Sequence, residues 1–233
     1  MNKLDDKKLR FYEKSHSYRY GRQKLISVTT FVGQFFEKFD AKIVARKLAK
    51  FPHYKAQKKG VRYFLKDWKA RADHGTKVHK EIEDWMNGGL GTVDGLEPKT
   101  VHATQFITEY LLENPITTGL VEQRIFTTEL GLAGTIDWVT FNAEGTFDLI
   151  DWKTNENLTT KGYKGKRGTH TATENLEDCL VVKYGLQLSM YAYILEEYYG
   201  MKCRNLILVH LTPEGYEGIY VPYEKKIVEE MVK

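Results

Sequence analysis

Cysteine and long apolar runs are scarce in this sequence of 233 residues. Its two cysteines cannot supply the four thiolates of an iron–sulfur cluster, and no compact Cys/His cluster suits structural zinc. No apolar run approaches the roughly 20 residues that span a bilayer, and the first ten residues lack the apolar stretch of a signal peptide. We therefore expect a cytoplasmic protein with no disulfide, no iron–sulfur cluster and no membrane partner.

The composition is typical of a globular mixed α/β domain. Hydrophobic residues make up 42% of the chain and charged residues 28%, so the chain can bury a core and has no disordered character. No internal repeat and no second domain are evident. We expect a single domain over 1–233, with a hairpin and helical portion over 1–115 and a strand-rich core over 116–233.

Positive charge is concentrated in one region. The net charge is +4, but residues 42–80, the basic helical block, carry many Lys and Arg against two acids, Asp67 and Asp73. Interleaved aromatic residues make this mixture typical of a surface that follows a phosphate backbone and stacks bases. A solvated helix face with its aromatics in the core explains the aromatics equally well, but not the scarcity of acids. The candidate phosphate-binding residues in the block are Lys55, Lys58, Lys59, Arg62 and Lys66.

A strand-like segment that ends in Asp151-Trp152-Lys153 carries the candidate chemistry. Side chains alternate along a strand, so Asp151 and Lys153 share one face and Trp152 points to the other. Gly145 marks a turn, and the resulting hairpin brings Asp137 close to Asp151. Two carboxylates and the backbone carbonyl of Trp152 suit Mg²⁺ or Mn²⁺. Lys153 can then orient a water molecule or support negative charge on a phosphate.

The context of this triplet distinguishes it from chance matches. Asp-x-Lys also occurs elsewhere, for example at 67–69, but without a preceding apolar strand or a second acid one hairpin away. The alternative interpretation of the strand copy is an ion pair at a strand end.

Two helix-like segments add further polar residues. His79 and Glu83 are i,i+4 neighbours, and so are Gln187 and Tyr191, so each pair lies on one helix face. Taken alone, His79 is equally typical of an ordinary helix. Gln187 and Tyr191, taken alone, are equally typical of an amphipathic helix surface.

Four motifs occur in chain order: G-x-x-x-H at 75–79, G-x-x-D at 134–137, D-x-K at 151–153 and Q-x-x-x-Y at 187–191. Together they resemble the RecB-like branch of the PD-(D/E)XK nuclease superfamily, over roughly residues 28–211. Within that branch the sequence is similar to phage-type exonucleases and to the mitochondrial genome maintenance exonuclease.

The resemblance implies a restriction-endonuclease-like α/β fold, in which helices flank a mixed sheet, and a divalent metal cofactor, Mg²⁺ or Mn²⁺. The metal ligands that it implies are His79, Asp137, Asp151 and the Trp152 carbonyl. The catalytic or site-lining residues that it implies are Asp137, Asp151, Lys153, Gln187 and Tyr191. Glu122 is a further candidate, because some relatives carry an acid at this place, although it is equally typical of an exposed strand residue.

The function implied is that of an exonuclease acting on single-stranded or end-containing DNA, in phage recombination or DNA processing. A phage-encoded protein would act in the host cytoplasm. Because helicase motifs are absent from the sequence, any unwinding falls to a partner such as a helicase, and a recombinase or single-strand binding protein is a further candidate. The alternatives are a structure- or sequence-selective endonuclease on the same core, and a non-catalytic nucleic-acid binding protein.

Periodicity and turn residues predict the order of elements. We expect a β-hairpin over 10–27 split near Gly21, helices over 41–50, 54–71, 75–86 and 99–112, a meander of strands over 120–128, 131–141 and 147–153, the helix that carries Gln187, strands over 205–211 and 218–222, and a helix over 224–232. The polar segment 155–176 is predicted to be a mobile flap over DNA or, equally, a disordered connector. Its candidate DNA-binding residues are Lys164, Lys166 and Arg167.

Overall fold

The computed structural model describes residue 4 and residues 6–12, 17–88 and 91–233. The strands are β1 Leu9–Tyr12, β2 Ser17–Tyr20, β3 Gln23–Ser27, β4 Ile116–Thr127, β5 Leu132–Asn142, β6 Thr146–Lys153, β7 Lys202–Leu211 and β8 Tyr216–Val221. The helices are α1 Val28–Gly33, α2 Ala41–Leu48, α3 Pro52–Ala56, α4 Val61–Asn87, α5 Pro98–Glu113, α6 Leu180–Tyr199 and α7 Lys225–Met231. Among the described helices, none combines the length and apolarity needed to cross a bilayer.

These strands form one mixed sheet, which confirms the predicted fold class. Its order is β1-β2-β3-β5-β6-β7-β8, with β4 paired to β5. The β3–β5 and β6–β7 pairs are parallel, and the other pairs are antiparallel. Helix α6 connects β6 to β7, as a parallel crossover requires.

Strand β5 has an interrupted edge. One edge of β5 pairs with β4 over residues 132–136 and 138–142. On the other edge, β3 pairs with residues 132–133 and β6 with residues 138–141. Residues 134–137 therefore have no ladder partner on that edge among the described strands. This β5 gap, at 134–137, is where side chains and neighbouring helices can approach the strand.

Helices cover both faces of the sheet. Helices α1, α6 and α7 pack on one face, where Leu149 lies in their core cluster, and α4 and α5 pack on the other, where Trp138 and Trp152 are buried. Because side chains alternate, Asp151 shares the α6 side with Leu149 and lies opposite Trp152. The strand therefore presents the acid toward α6.

The N-terminal region contains three antiparallel strands. The turn predicted near Gly21 joins β2 to β3, and this glycine has φ +57°, a conformation that suits glycine. β1 pairs with β2, so the predicted hairpin gains a strand, and the connecting residues 13–16 lie outside the described residues. Leu9, Tyr18 and Leu25 pack beneath the hairpin against Phe126 of β4.

The prediction of two helices over 54–71 and 75–86 is wrong. Helix α4 is continuous from Val61 to Asn87, and the short helix α3 precedes it. A glycine weakens a helix by about 1 kcal/mol, but Gly75 is buried against Thr154, and an added Cβ would lie 2.7 Å from Thr154 Oγ1. Close packing of α4 on the end of β6 explains this glycine without a helix break.

The segment that follows β6 is anchored, so the prediction of a disordered connector is wrong, whereas a flap over DNA stays a prediction. The backbone N–H of Thr169 donates to the carbonyl of Phe35, and the Thr173 hydroxyl donates to the same carbonyl. Arg167 and Glu177 form an isolated antiparallel bridge within the segment. These contacts tie the segment to the residues just after α1.

Candidate metal centre and cleft

Asp137 is the last residue of the β5 gap, next to β6. The β5–β6 register pairs Trp138 with Ile150, so one further step of the same register brings Asp137 close to Asp151, as the hairpin prediction required. Asp137 Oδ2 accepts a hydrogen bond from the Trp152 backbone N–H (2.8 Å) and lies 3.5 Å from His79 Nδ1. Helix α4 and two strands therefore converge on one carboxylate.

Asp137 and His79 form a half-buried charge pair. Burial raises the pKa of Asp137, but the charge and hydrogen bond of His79 outweigh this effect and hold that pKa below its usual range. Burial likewise lowers the pKa of His79, but the Asp137 carboxylate outweighs burial and raises it to about 9. At neutral pH the imidazole therefore carries a proton, which a metal ion would have to displace.

Glu122 of β4 completes a three-ligand cluster. His79, Glu122 and Asp137 each offer one ligand atom, and these atoms lie within 4.8 Å of one another. Glu122 has φ +51°, although both of its neighbours are paired with β5. A non-glycine residue in this conformation is strained by about 1–3 kcal/mol, and such residues cluster at functional sites. Burial and the Asp137 charge raise the pKa of Glu122 to about 7.

Asp151 lies beside this cluster, held by a lysine and a glutamine. Gln187 Nε2 donates to Asp151 Oδ1 (3.2 Å), and Lys153 Nζ contacts Oδ2 as an ion pair. The buried Oδ2 makes no regular hydrogen bond with any described residue. Burial raises the pKa of Asp151 to about 6 although Lys153 opposes the shift.

Lys153 keeps its charge in this setting. Burial lowers its pKa, but the carboxylates of Asp151 and Asp137 outweigh burial and raise the pKa above the usual range. Its Nζ also lies 4.0 Å from the centroid of the Tyr184 ring, a cation–π contact that holds the ammonium in place.

Tyr191 packs behind the site. Its ring is buried against Gly134 in the β5 gap. Burial raises the pKa of Tyr191 well above its ordinary value, so the phenol stays neutral. Gln187, one helical turn earlier, reaches Asp151 from the same helix. The structure thus places both residues of the Q-x-x-x-Y motif against the sheet, where they position site groups.

A cleft of about 1310 Å³ opens in front of these groups. Its site-side residues are His79, Glu122, Asp137 and Lys153, and its walls also include Phe11, Tyr18, Trp68, Lys99, Glu156, Tyr184 and Glu214. Neither Gln187 nor Tyr191 is among the cleft residues. The cleft is formed by the N-terminal hairpin, α4, the start of α5, the residues after β6 and the β7–β8 turn.

The hairpin's part in the cleft was not predicted. The Tyr18 hydroxyl lies 2.9 Å from Thr135 Oγ1 in the β5 gap, and the Phe11 and Tyr18 rings lie 4.8 Å apart. Residues 18 and 135 are far apart in the chain, and no motif links them, because the contact depends on the parallel pairing of β3 with β5.

The predicted DNA-binding residues lie outside the cleft walls. Lys55, Lys58, Arg62 and Lys66 are exposed near the α3–α4 junction, and Lys59 Nζ lies 4.9 Å from the Tyr63 ring centroid. After β6, Lys164 is exposed, Lys166 pairs with Glu37, and Arg167 lies 3.8 Å from Glu177. Their contact with DNA stays a prediction, and it is weaker for the two residues already paired with acids.

The three-ligand cluster fits a divalent metal ion. Two carboxylates and one imidazole are oxygen and nitrogen donors of the kind that Mg²⁺ or Mn²⁺ accepts. Asp151 Oδ2, which Lys153 contacts, supplies a further buried oxygen beside the cluster. His79 and Asp137 were expected as ligands, whereas Glu122 takes the place in the cluster that was expected for Asp151. The Trp152 carbonyl stays a predicted ligand.

Comparison with known proteins finds likeness only among solved structures. No protein-family model and no curated protein matches the sequence. The crystal structure of SSO0001 is similar, with 16% identity and a TM-score of 0.34, over 88% of this chain and 72% of that one. A candidate exonuclease from Eubacterium rectale has 13% identity and a TM-score of 0.36, over 89% of this chain and 77% of that one.

Proposed function

We propose that this protein is a metal-dependent nuclease that hydrolyses phosphodiester bonds in DNA, with residues 1–233 forming one nuclease domain. One observation carries the proposal: a His79–Glu122–Asp137 cluster opens into the same cleft as Lys153, which is paired with Asp151. A structural ion pair would explain Asp151 and Lys153 alone. It would not explain a strained Glu122 and a half-buried histidine grouped beside them.

The protein's own groups have distinct roles in this proposal. His79, Glu122 and Asp137 would hold the ion, with Asp151 Oδ2 close by. When bound, a divalent ion lowers the pKa of a coordinated water and offsets charge on the phosphate.

Lys153 is placed to support negative charge on the scissile phosphate, because its ammonium is fixed between Asp151 and the Tyr184 ring. Gln187 holds Asp151 in its rotamer through Oδ1.

We favour an exonuclease on single-stranded or end-containing DNA, in phage recombination or DNA processing. The support is the sequence resemblance together with a cleft walled on several sides by the hairpin, α4, α5 and the residues after β6. A strand threaded through such a cleft needs a free end. An endonuclease on the same core is the alternative, and a partner helicase, recombinase or single-strand binding protein belongs to the exonuclease hypothesis.

The test uses linear and covalently closed circular DNA, each single- and double-stranded, with Mg²⁺, Mn²⁺ or EDTA. Degradation of linear single strands to short products, with circles intact and EDTA abolishing the reaction, supports the proposal. Cutting of circles as fast as linear DNA establishes the endonuclease. Binding of DNA without cleavage in either metal would identify the protein as a non-catalytic nucleic-acid binding protein.

A further inference from the structure

Three cations lie in a row across the outer face of the N-terminal strands. The β1–β2 register pairs Arg10 with Arg19, and the β2–β3 register pairs Arg19 with Lys24. All three are exposed, while Tyr18 and Leu25, on the opposite face, are buried. We call Arg10, Arg19 and Lys24 the hairpin cation row.

The row places like charges directly opposite one another on adjacent strands. Such pairs destabilise a sheet, by a few tenths of a kcal/mol to about 1 kcal/mol each. No member of the row forms an ion pair with a described residue. A polyanion seated across the strands would remove this repulsion.

The row contrasts with three exposed lysines along α4. Lys69 pairs with Asp73, Lys77 with Glu97, and Lys80 with Asp84. Those lysines are already neutralised within the protein, so they have less to offer an incoming phosphate. The hairpin cation row, like the exposed cations near the α3–α4 junction, is a positive surface without a described counter-charge.

We propose that the hairpin cation row binds the phosphate backbone of DNA outside the cleft, an inference that rests on the proposed nuclease function. Charge complementarity identifies the occupant. Neighbouring residues in adjacent strands lie about 4.5–5.5 Å apart at Cα, and long Arg and Lys side chains can reach successive phosphates of one strand from that spacing. Exposed Tyr12, on the same face, offers a ring to an unpaired base.

The position of the row next to the cleft gives it a role. The same two strands send Phe11 and Tyr18 to the cleft wall and Arg10 and Arg19 to the outer face. DNA that leaves the cleft over the hairpin would meet the row next. The row thus lengthens the DNA footprint beyond the site of hydrolysis. Its loss should therefore weaken the binding of long substrates and not of short ones.

The test measures DNA binding in EDTA by fluorescence anisotropy, with single-stranded oligonucleotides of about 8 and about 30 nucleotides. The variant is Arg10→Gln/Arg19→Gln/Lys24→Gln, with single Arg19→Gln as a milder version. The matched control, Lys202→Gln/Lys226→Gln/Lys233→Gln, removes the same charge from exposed residues at the start of β7, on α7 and at the C-terminus.

The row variant should bind the long oligonucleotide roughly tenfold more weakly and lower the slope of log K against log salt by about 2, since each phosphate contact on a single strand contributes roughly 0.7. Cleavage of the short oligonucleotide should stay within about twofold of the wild type. The melting temperature should stay equal or rise, because like-charge repulsion is removed.

Equal weakening by the control, or an unchanged salt slope in both row variants, overturns the inference. So does a row variant that keeps its DNA affinity but loses binding to phosphatidylserine vesicles, which would identify a membrane surface instead. If the wild type itself neither binds nor cuts DNA, the proposed function fails together with the inference. Wild-type binding with an unaffected row variant overturns the inference alone.

Discussion

Gly134 of β5 and Tyr191 of α6 pack so closely that a methyl group has no room between them. A Cβ on Gly134 would lie 2.3 Å from Tyr191 Cε1. The contact therefore sets the distance between the sheet and the helix. Gln187, one turn earlier on α6, depends on that distance for its 3.2 Å hydrogen bond to Asp151. The G-x-x-D and Q-x-x-x-Y motifs are thus joined by packing.

We expect Gly134→Ala to destabilise the protein by about 1–3 kcal/mol, the usual range for overpacking a core. The measurement is urea unfolding followed by circular dichroism. In a Tyr191→Leu background the penalty should shrink, because the ring that meets the new methyl is gone, and the difference is the coupling energy of the pair.

Gly185→Ala is the matched control for this substitution. Gly185 lies inside α6, and its added Cβ would meet Val221 at 3.7 Å, an ordinary contact. Alanine is also about 1 kcal/mol more favourable than glycine inside a helix, so this variant should be neutral or stabilising. A Gly134→Ala variant as stable as Gly185→Ala would show that the sheet–helix distance is not fixed there.

Substitution of the Asp-x-Lys pair should abolish cleavage and spare DNA binding. We expect Asp151→Asn and Lys153→Met each to lower the rate of hydrolysis by about 10² or more, because each removes a fixed charge at the site of reaction. Single-turnover cleavage and anisotropy in EDTA measure the two effects separately. Lys42→Met, at an exposed Asp-x-Lys copy where Asp40 caps α2, is the control. Normal turnover by Lys153→Met would show that β6 does not carry the catalytic site.

The sequence could predict the Asp137–Asp151–Lys153 arrangement because it depends on local rules. Alternation along β6 and a turn at Gly145, whose φ is +75°, suffice to place both acids in one hairpin. The mixed sheet followed from the order of the same elements, with helix α6 between β6 and β7.

Glu122 and Tyr18 show why the rest of the site could not be predicted. Glu122 joins the metal cluster through an unusual backbone conformation within a long strand. No sequence pattern predicts that conformation. Tyr18 reaches the β5 gap only because β3 pairs in parallel with β5. Gly75 lies within a continuous α4 because Thr154, just after β6, leaves no room for a larger side chain, and the two residues are far apart in the sequence.

Glu122→Gln should stabilise the metal-free protein at pH 8. The pKa of Glu122 is raised from 4.5 to about 7, so the fold favours the neutral acid. Stability from this group is complete below its unfolded pKa and is lost as pH rises through about 7. A neutral glutamine avoids that loss, so the melting temperature should rise by a few degrees at pH 8 and change little at pH 4.5.

Mn²⁺ provides the complementary measurement for Glu122. A ligand that binds the folded state raises the melting temperature, so Mn²⁺ should stabilise the wild type and stabilise Glu122→Gln much less. Glu113→Gln, at the exposed end of α5, should behave like the wild type in both measurements. An unchanged Mn²⁺ effect in Glu122→Gln would exclude Glu122 as a ligand.

Metal binding should release a proton from His79. The pKa of His79 is raised to about 9, so at pH 8 most of the imidazole is protonated, and a metal ion can bind only the neutral ring. Because binding requires loss of this proton, apparent Mn²⁺ affinity should rise with pH up to about 9 and then level off. Isothermal titration calorimetry at pH 8, in buffers of different ionisation enthalpy, should report a release of close to one proton per ion.

His79→Gln should bring the release close to zero, whereas His53→Gln, on the exposed surface of α3, should leave it unchanged. Equal proton release by the wild type and His79→Gln would mean that the histidine holds Asp137 in place without binding the metal.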